Sequence, residues 1–339
     1  MSSVGHKRKA AETDSWIDED ELDDEAKIRY DRQIRVWGAE AQKRIQTSKV
    51  FVCGLDGLHV ELVKNIVLAG MHLTVHDSNV LLNDHLAYNF FATINDLGKN
   101  IATSALSKIQ DLNSFSEINA ETRHFDELDD QYFDKYRVIL LSDMYSTEQA
   151  IRINNICRKS TPPKIFFWSG AFGKEAWFIS DFGDKFDYME DPSQQTSIRE
   201  TKTISFPSLQ TILDKRWKEI PSRHFPLSKT FVKSRVLSTF IDRYQYVPHE
   251  NDVGHLQELY WELANYNEME GSHIESFIGK SEWLRFSHES KEPCILTCSI
   301  LGSFLAQEVI KAVSQTGEPG KNLFLFTSDD CVVKCVPVE

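Results

Sequence analysis

Lys49-Val50-Phe51-Val52-Cys53-Gly54-Leu55-Asp56-Gly57-Leu58-His59 decides how this chain folds. A hydrophobic strand over 49–53 runs straight into a glycine turn, and a helix over about 57–69 follows. Gly70 ends that helix, and Leu73–His76 reads as the next strand. Glycine at such a turn permits a tight bend and lets backbone approach a phosphate. The usual Gly-x-Gly-x-x-Gly pattern is broken here. Asp56 stands at the middle glycine and His59 at the third. Asp56 sets a negative charge where phosphate oxygens would sit. Asp77, at the end of the second strand, lies where a ribose-binding acid belongs. The expectation is a degenerate pocket of Gly54, Gly57 and Asp77, with no cofactor bound by this chain and the turn kept for the fold.

Downstream, the same rhythm continues. A helix over about 99–112 carries Ile101, Ala105, Leu106, Ile109 and Leu112. A strand-like stretch lies near 120–125, Arg137–Leu141 is a buried strand, a helix spans 146–159, and Lys164–Trp168 is another strand. Alternation of this kind means an α/β fold with a mostly parallel, Rossmann-like sheet and right-handed crossovers. After Ser180 the rhythm stops. Helices are expected at about 205–218, 228–244, 251–267 and 273–286, punctuated by prolines. An apolar helix over 295–315 then leads to a hairpin of Leu323–Phe326 and Cys331–Val336. A helix apolar on nearly all sides is a buried one, and Gly302, Ser303 and Ala306 would let it pack closely. The division expected is a tail at 1–25, an α/β domain from 26–180 and 291–339, and a mainly helical insertion at 181–290.

Upstream of the turn, Ile28, Ile34, Trp37, Ala41 and Ile45 recur at helical spacing. They describe an amphipathic helix from about Glu25 to Ser48, broken near Gly38. Its segment Tyr30–Gly38 carries Arg32 and Arg35. Read without further context, both arginines pair with nearby acids on a solvated face.

The 339 residues are 41% hydrophobic and 26% charged, enough for one large or two modest domains. The net charge of −13 and the lack of a basic stripe argue against a nucleic-acid partner. The acidic run Glu12–Glu25 reads as a solvated tail. No apolar signal region opens the chain and no run is expected to reach membrane length, so neither secretion nor a membrane is anticipated. His6-Lys7-Arg8-Lys9 is a candidate nuclear import signal, and a nuclear and cytoplasmic location with reduced thiols is the expectation. Cys294/Cys298 and Cys331/Cys335 share a spacing of four, wider than a zinc knuckle, and no metal is expected there. Cys157 reads as core. Trp217, Tyr244, Tyr246, Tyr260, Trp261 and Trp283 in the insertion read mainly as core, with an interaction surface as the other reading.

Several segments together resemble the ubiquitin-like-protein activating enzymes, a family that also includes the enzymes adenylating sulfur-carrier proteins. Tyr30–Arg44 is similar to their N-terminal signature, and Gly54–Glu61 with Lys64, Asn65 and Leu68–Gly70 to their first strand–turn–helix. Leu97–Asn100, Leu112-Asn113, Phe304–Lys311 and Asn322–Phe326 resemble later helices and strands. The likeness covers about 26–180 and 291–339. In that family one α/β half adenylates and a related half is degenerate. Asp56 and His59 in the turn, the missing arginine in His85–Phe91, and Ile101 where a lysine is usual all place this chain with degenerate halves. Its length resembles the smaller subunit of SUMO-activating heterodimers. The resemblance implies a larger catalytic subunit and SUMO as partners, and Mg-ATP bound by that larger subunit. It implies that Arg32 acts in trans, with Arg35 as second candidate, and that 181–290 corresponds to half of a catalytic-cysteine domain without its cysteine. A self-sufficient adenylating enzyme for a sulfur carrier or other ubiquitin-like protein is the alternative. An NAD(P)-dependent oxidoreductase, resting on the turn and Asp77 alone, is a third.

Overall fold

A computed structural model describes residues 24–190, 201–220, 227–290 and 292–339. The acidic tail and the basic cluster His6–Lys9 lie outside these residues, except that Asp24 and Glu25 already belong to a helix.

Three short helices open the described chain: α1 (Asp24–Arg29), α2 (Asp31–Trp37) and α3 (Ala39–Thr47). The expected break falls at Gly38, whose φ of +94° cannot continue a helix. A second break, at Tyr30, was not legible from periodicity. Strand β1 (Lys49–Cys53) and helix α4 (Gly57–Ala69) have the bounds the opening stretch predicts. They are followed by β2 (His72–His76), α5 (Ile101–Leu112), β3 (Ile118–Glu121), β4 (Val138–Ser142), α6 (Thr147–Lys159) and β5 (Ile165–Phe172).

Strand β6 (Glu175–Asp181) was not anticipated, nor was the hairpin of β7 (Phe186–Met189) and β8 (Thr201–Ile204) inside the helical segment. That segment then holds α7 (Leu209–Asp214), α8 (Lys229–Tyr244), α9 (Val253–Tyr266), α10 (Gly271–Phe277) and α11 (Lys280–Glu289). The single helix expected at 273–286 is two, because Gly279 caps α11 in extended geometry. Helix α12 (Ile295–Ser314) leads into β9 (Leu323–Thr327) and β10 (Val332–Val336).

One eight-stranded sheet runs in the order β10-β9-β6-β5-β4-β1-β2-β3. From β3 to β5 the neighbours are parallel; β6, β9 and β10 continue it antiparallel. The chain therefore leaves the sheet after β6 and returns beside it as β9. Successive strand residues point to opposite faces. Val50, Val52, Leu73, Val138 and Leu140 meet α3, α4, α5 and α12 on one face. Phe51, Cys53, Ile139, Leu141 and Trp168 meet α6 to α11 on the other. Trp217, Tyr260 and Trp283 are core there, whereas Tyr246 and Trp261 are exposed.

Helix α12 corrects one expectation. It is 20 residues long and apolar enough, by length and composition, to cross a membrane. In this fold it packs along α4 instead. Leu301, Leu305 and Val309 are fully buried, and a Cβ on Gly302 would lie 3.0 Å from the Leu58 carbonyl oxygen. The small residue lets the two helices approach at backbone distance, and truncating one of these leucines to alanine costs about 2–5 kcal/mol.

Candidate functional site

Sheet order reverses direction around β1, since β2 lies on one side of it and β4 on the other. Ligands of open α/β sheets bind outside the carboxyl ends of strands at such a point. The Gly54–His59 turn occupies it.

Gly54 adopts φ +86°, and a Cβ there would meet Ser142 Cβ at 2.8 Å. Only glycine fits both the angle and the space. Asp56 caps α4: its carboxylate accepts the His59 backbone N–H at 2.9 Å and the Ser142 hydroxyl proton. The His59 ring is fully buried beneath the turn. Its Nδ1 lies 2.7 Å from the Gly54 carbonyl oxygen, so Nδ1–H donates. Nε2, 2.9 Å from Ser169 Oγ, is then the acceptor. Both residues that break the glycine pattern therefore hold the turn from within.

Asp77 joins the same cluster. Its Oδ2 accepts from Leu55 N at 3.2 Å, and its Oδ1 accepts from the backbone and side-chain nitrogens of Asn79, each at 3.0 Å. At 1% exposed, it spends both carboxylate oxygens on its own chain. Tyr88 covers the start of α4, its Cβ 3.4 Å from the position of a Gly57 Cβ. Burial, then Asp56 and Asp77, push the Tyr88 phenol well up. Gly54, Gly57 and Asp77 thus lie together at one turn, beside the Asp56 carboxylate. Tyr88 belongs to the His85–Phe91 stretch already marked by its missing arginine. Ile101, at the position where a lysine would be basic, is a buried residue at the start of α5.

Two further features were not foreseen. Asp143 follows β4 with its carboxyl against Gly170, and its buried Oδ2 has no hydrogen-bond partner. Burial, then the Asp56 charge, hold its proton on far above the usual carboxylate range. Beside it, His76 Nε2 faces the Arg123 carbonyl oxygen at 2.9 Å and so donates. His76 Nδ1 is left as an acceptor, with Tyr145 Oη at 3.0 Å and Cys53 Sγ at 3.2 Å both within reach of its lone pair. Burial lowers the His76 pKa and raises that of Cys53, which favours the neutral ring and the neutral thiol. A cavity of about 1040 Å³, lined among others by Ser78, Asn79, Arg152, Asp242 and Tyr246, lies beyond Tyr145. Tyr145 separates it from Gly54.

The two arginines part company. Arg35 pairs with Asp31 on its own helix at 2.9 Å. Arg32 is exposed and makes no hydrogen bond or ion pair among the described residues. Helix α2 is held at the far end of α4, where Gln33 donates to the Leu68 carbonyl oxygen at 3.2 Å. The 13 residues of α4 separate that end from the turn by about 20 Å. Arg32 and this chain's own turn are therefore not brought together. Exposed apolar side chains occur on the same helices and on the helices packed beside them: Ile28, Val36, Leu68 and Phe304, with Phe90 in the loop after β2.

All six cysteines are free. Cys157 is core, with burial raising its pKa, and Cys298 is buried against Gly57. Among the described residues no group of three or more His, Cys, Asp or Glu is placed to hold a metal ion.

A Rossmann-like sheet with a strand–turn–helix at its switch point defines the class, and the chain belongs to the ThiF family, whose model matches residues 30–332. More particularly, it is similar to SUMO-activating enzyme subunit 1B-1 of Arabidopsis thaliana, 30% identical over 93% of this chain and 96% of the relative. It is also similar to SUMO-activating enzyme subunit 1 of Dictyostelium discoideum, 29% identical over 89% and 90% of the two chains. The protein of that name from Danio rerio is 27% identical over 90% and 92%.

Proposed function

We propose that this chain is the non-adenylating subunit of a heterodimeric SUMO-activating enzyme. The larger subunit binds Mg-ATP, adenylates the SUMO C-terminus, and then takes the acyl group onto its own cysteine. This chain supplies Arg32 across the interface. Negative charge builds on the phosphates as the α-phosphate is attacked. A guanidinium fixed beforehand opposes that charge, and its planar fork donates to two oxygens.

One contrast carries the reading: the turn of this chain is closed by Asp56 and His59, while Arg32 stands unpaired at the opposite end of α4. An arginine so placed serves a site on another molecule. The apolar side chains Ile28 and Val36, four residues to either side of it, and Leu68, which Gln33 reaches, are 44–79% exposed and supply a surface for that molecule to cover. Segment 181–290 stands in this reading for half of the catalytic-cysteine domain, and the enzyme works in the nucleus and cytoplasm.

The test is ATP–pyrophosphate exchange with SUMO present. Exchange is expected only when both subunits are combined, and to fall at least a hundredfold with Arg32→Ala while the heterodimer stays intact on gel filtration. Exchange by this chain alone would instead establish a self-sufficient adenylating enzyme. Unchanged exchange with Arg32→Ala would remove the arginine from the mechanism.

A further inference from the structure

The cavity beyond Tyr145 combines an acidic rim with an apolar floor. We propose that it docks an extended basic peptide of another protein, with arginine or lysine heads on the carboxylates and their aliphatic stems on the floor.

The cleft, about 1040 Å³, lies where the loops after β2, β3 and β4 face the end of α8. Its charged lining is Asp126, Glu148, Asp242, Arg152 and His124. Arg152 is already engaged: its guanidinium pairs with Asp130 at 2.7 Å and donates to the Leu128 carbonyl oxygen at 2.7 Å. His124 stands 3.6 Å from Asp126. The three carboxylates therefore set the sign of the cleft, which repels an anion such as a phosphate and attracts a cation. Two of them are fixed around the first turn of α6. Asp242 Oδ1 accepts the Thr147 backbone N–H at 2.8 Å, and Asp126 Oδ1 accepts from the Gln149 amide at 2.6 Å. Glu148, on that same turn, is exposed and makes no hydrogen bond or ion pair among the described residues. The floor sets this cleft apart from a solvated acidic face. Met144 and Tyr246 are 42% and 40% exposed, and Phe125 and Ile241 also line it. Lysine and arginine lay their stems along such surface while the charged head stays at a polar rim, and a tyrosine face adds attraction for the cation. An opening of this size takes several side chains rather than a single ion.

Fluorescence anisotropy of a labelled hexa-arginine peptide with the full-length chain, at about 150 mM salt, tests this. The rim variant combines Asp126→Asn, Glu148→Gln and Asp242→Asn, which keep the acceptor oxygens that hold α6. It is expected to bind about tenfold more weakly than wild type, or worse. A remote variant, Glu258→Gln with Glu275→Gln and Glu292→Gln, removes as many exposed charges outside the cleft and is expected to change binding less than about twofold. Tyr246→Ala leaves every charge in place and is expected to weaken binding about threefold or more. Thermal unfolding establishes that each variant is folded. Should the rim variant fail to fold, Glu148→Gln, whose carboxylate has no bond to lose, decides in its place. The proposal is overturned if wild type does not bind the peptide, or if the rim variant binds it as tightly, which would put the peptide on the acidic run Glu12–Glu25 instead. Equal loss in the remote variant, or no loss with Tyr246→Ala, overturns it too. No partner subunit and no nucleotide takes part, so the outcome leaves the Arg32 reading untouched.

Discussion

Tyr30 Oη accepts a hydrogen bond from Asn113 Nδ2 at 2.8 Å, across 83 residues of sequence. The same amide donates to the Val67 carbonyl oxygen at 2.7 Å, so the Arg32 helix, the end of α4 and the end of α5 meet at one side chain. Tyr30 is 1% exposed, packed beside Gly70 and Phe115. The residue two positions before Arg32 is therefore a fixed post, and the arginine projects from it.

Removing the post's hydroxyl with Tyr30→Phe leaves a buried amide N–H short of an acceptor. That costs about 1–2 kcal/mol, read as a lower urea midpoint with an unchanged slope. Pyrophosphate exchange by the heterodimer is expected to fall as well, because a misplaced guanidinium loses transition-state contact. A stability loss with full exchange would separate Tyr30 from the positioning of Arg32.

Arg35 is the comparison for Arg32. Among the described residues its only ion pair is the exposed one with Asp31, and such helix pairs contribute about 0.3–0.5 kcal/mol. Arg35→Ala is expected to leave stability and exchange nearly unchanged, whereas Arg32→Ala is expected to lower exchange at least a hundredfold without moving the unfolding midpoint. Equal loss in both variants would mean that the helix as a whole, rather than one guanidinium, matters.

Asp143 gives a pH signature. Its folded pKa is raised, first by burial and then by Asp56. Below about pH 3.8, the ordinary aspartate value, both folded and unfolded chains hold the proton and the group has no effect. Above it the unfolded chain releases the proton while the folded chain keeps it, so the unfolded state binds fewer protons and stability falls as pH rises. The slope is about 1.4 kcal/mol per pH unit until the folded pKa is reached. Asp143→Asn removes the titration and keeps the shape. It is expected to be more stable than wild type at pH 7 and to lose that advantage near pH 4, measured by urea unfolding at each pH. A constant difference across the range would refute the assignment.

Much of this was legible in the opening stretch. Strand 49–53, the turn, and the Gly70 end of α4 follow from local rules that tertiary contacts do not override. Strand β6 was not legible, because Glu175–Asp181 pairs antiparallel between β5 and β9, and β9 lies some 140 residues further on. The split of the N-terminal helix at Tyr30 escaped for the same reason: the aromatic ring turns inward to meet Asn113, a distant partner. At the site, sequence located Asp56, His59 and Asp77 as departures from a pattern. It did not reveal that Ser142, Ser169 and Asn79 satisfy them, because those partners arrive from β4, β5 and the loop after β2.

Lys233 is the last test, and it concerns how the helical segment is held. The residue is 2% exposed, with its ammonium between Glu175 Oε1 at 2.5 Å on β6 and Glu282 Oε1 at 2.9 Å on α11. Thr230 donates to the other oxygen of Glu175, and Lys229 to the other oxygen of Glu282. One α8 side chain thus joins the sheet to a helix over a hundred residues away. Lys233→Met takes the shared cation from two largely buried carboxylates, leaving Glu175 with the Thr230 hydroxyl and Glu282 with Lys229 alone, and breaking such a pair from one side costs about 3–5 kcal/mol. The loss is expected to be local: limited proteolysis should cut within 205–290 well before the sheet. Replacing all three, with Glu175→Gln and Glu282→Gln added, removes the stranded charges and is expected to recover much of the loss. If the triple variant is as unstable as Lys233→Met, packing of the lysine stem rather than its charge fastens α8 to the sheet.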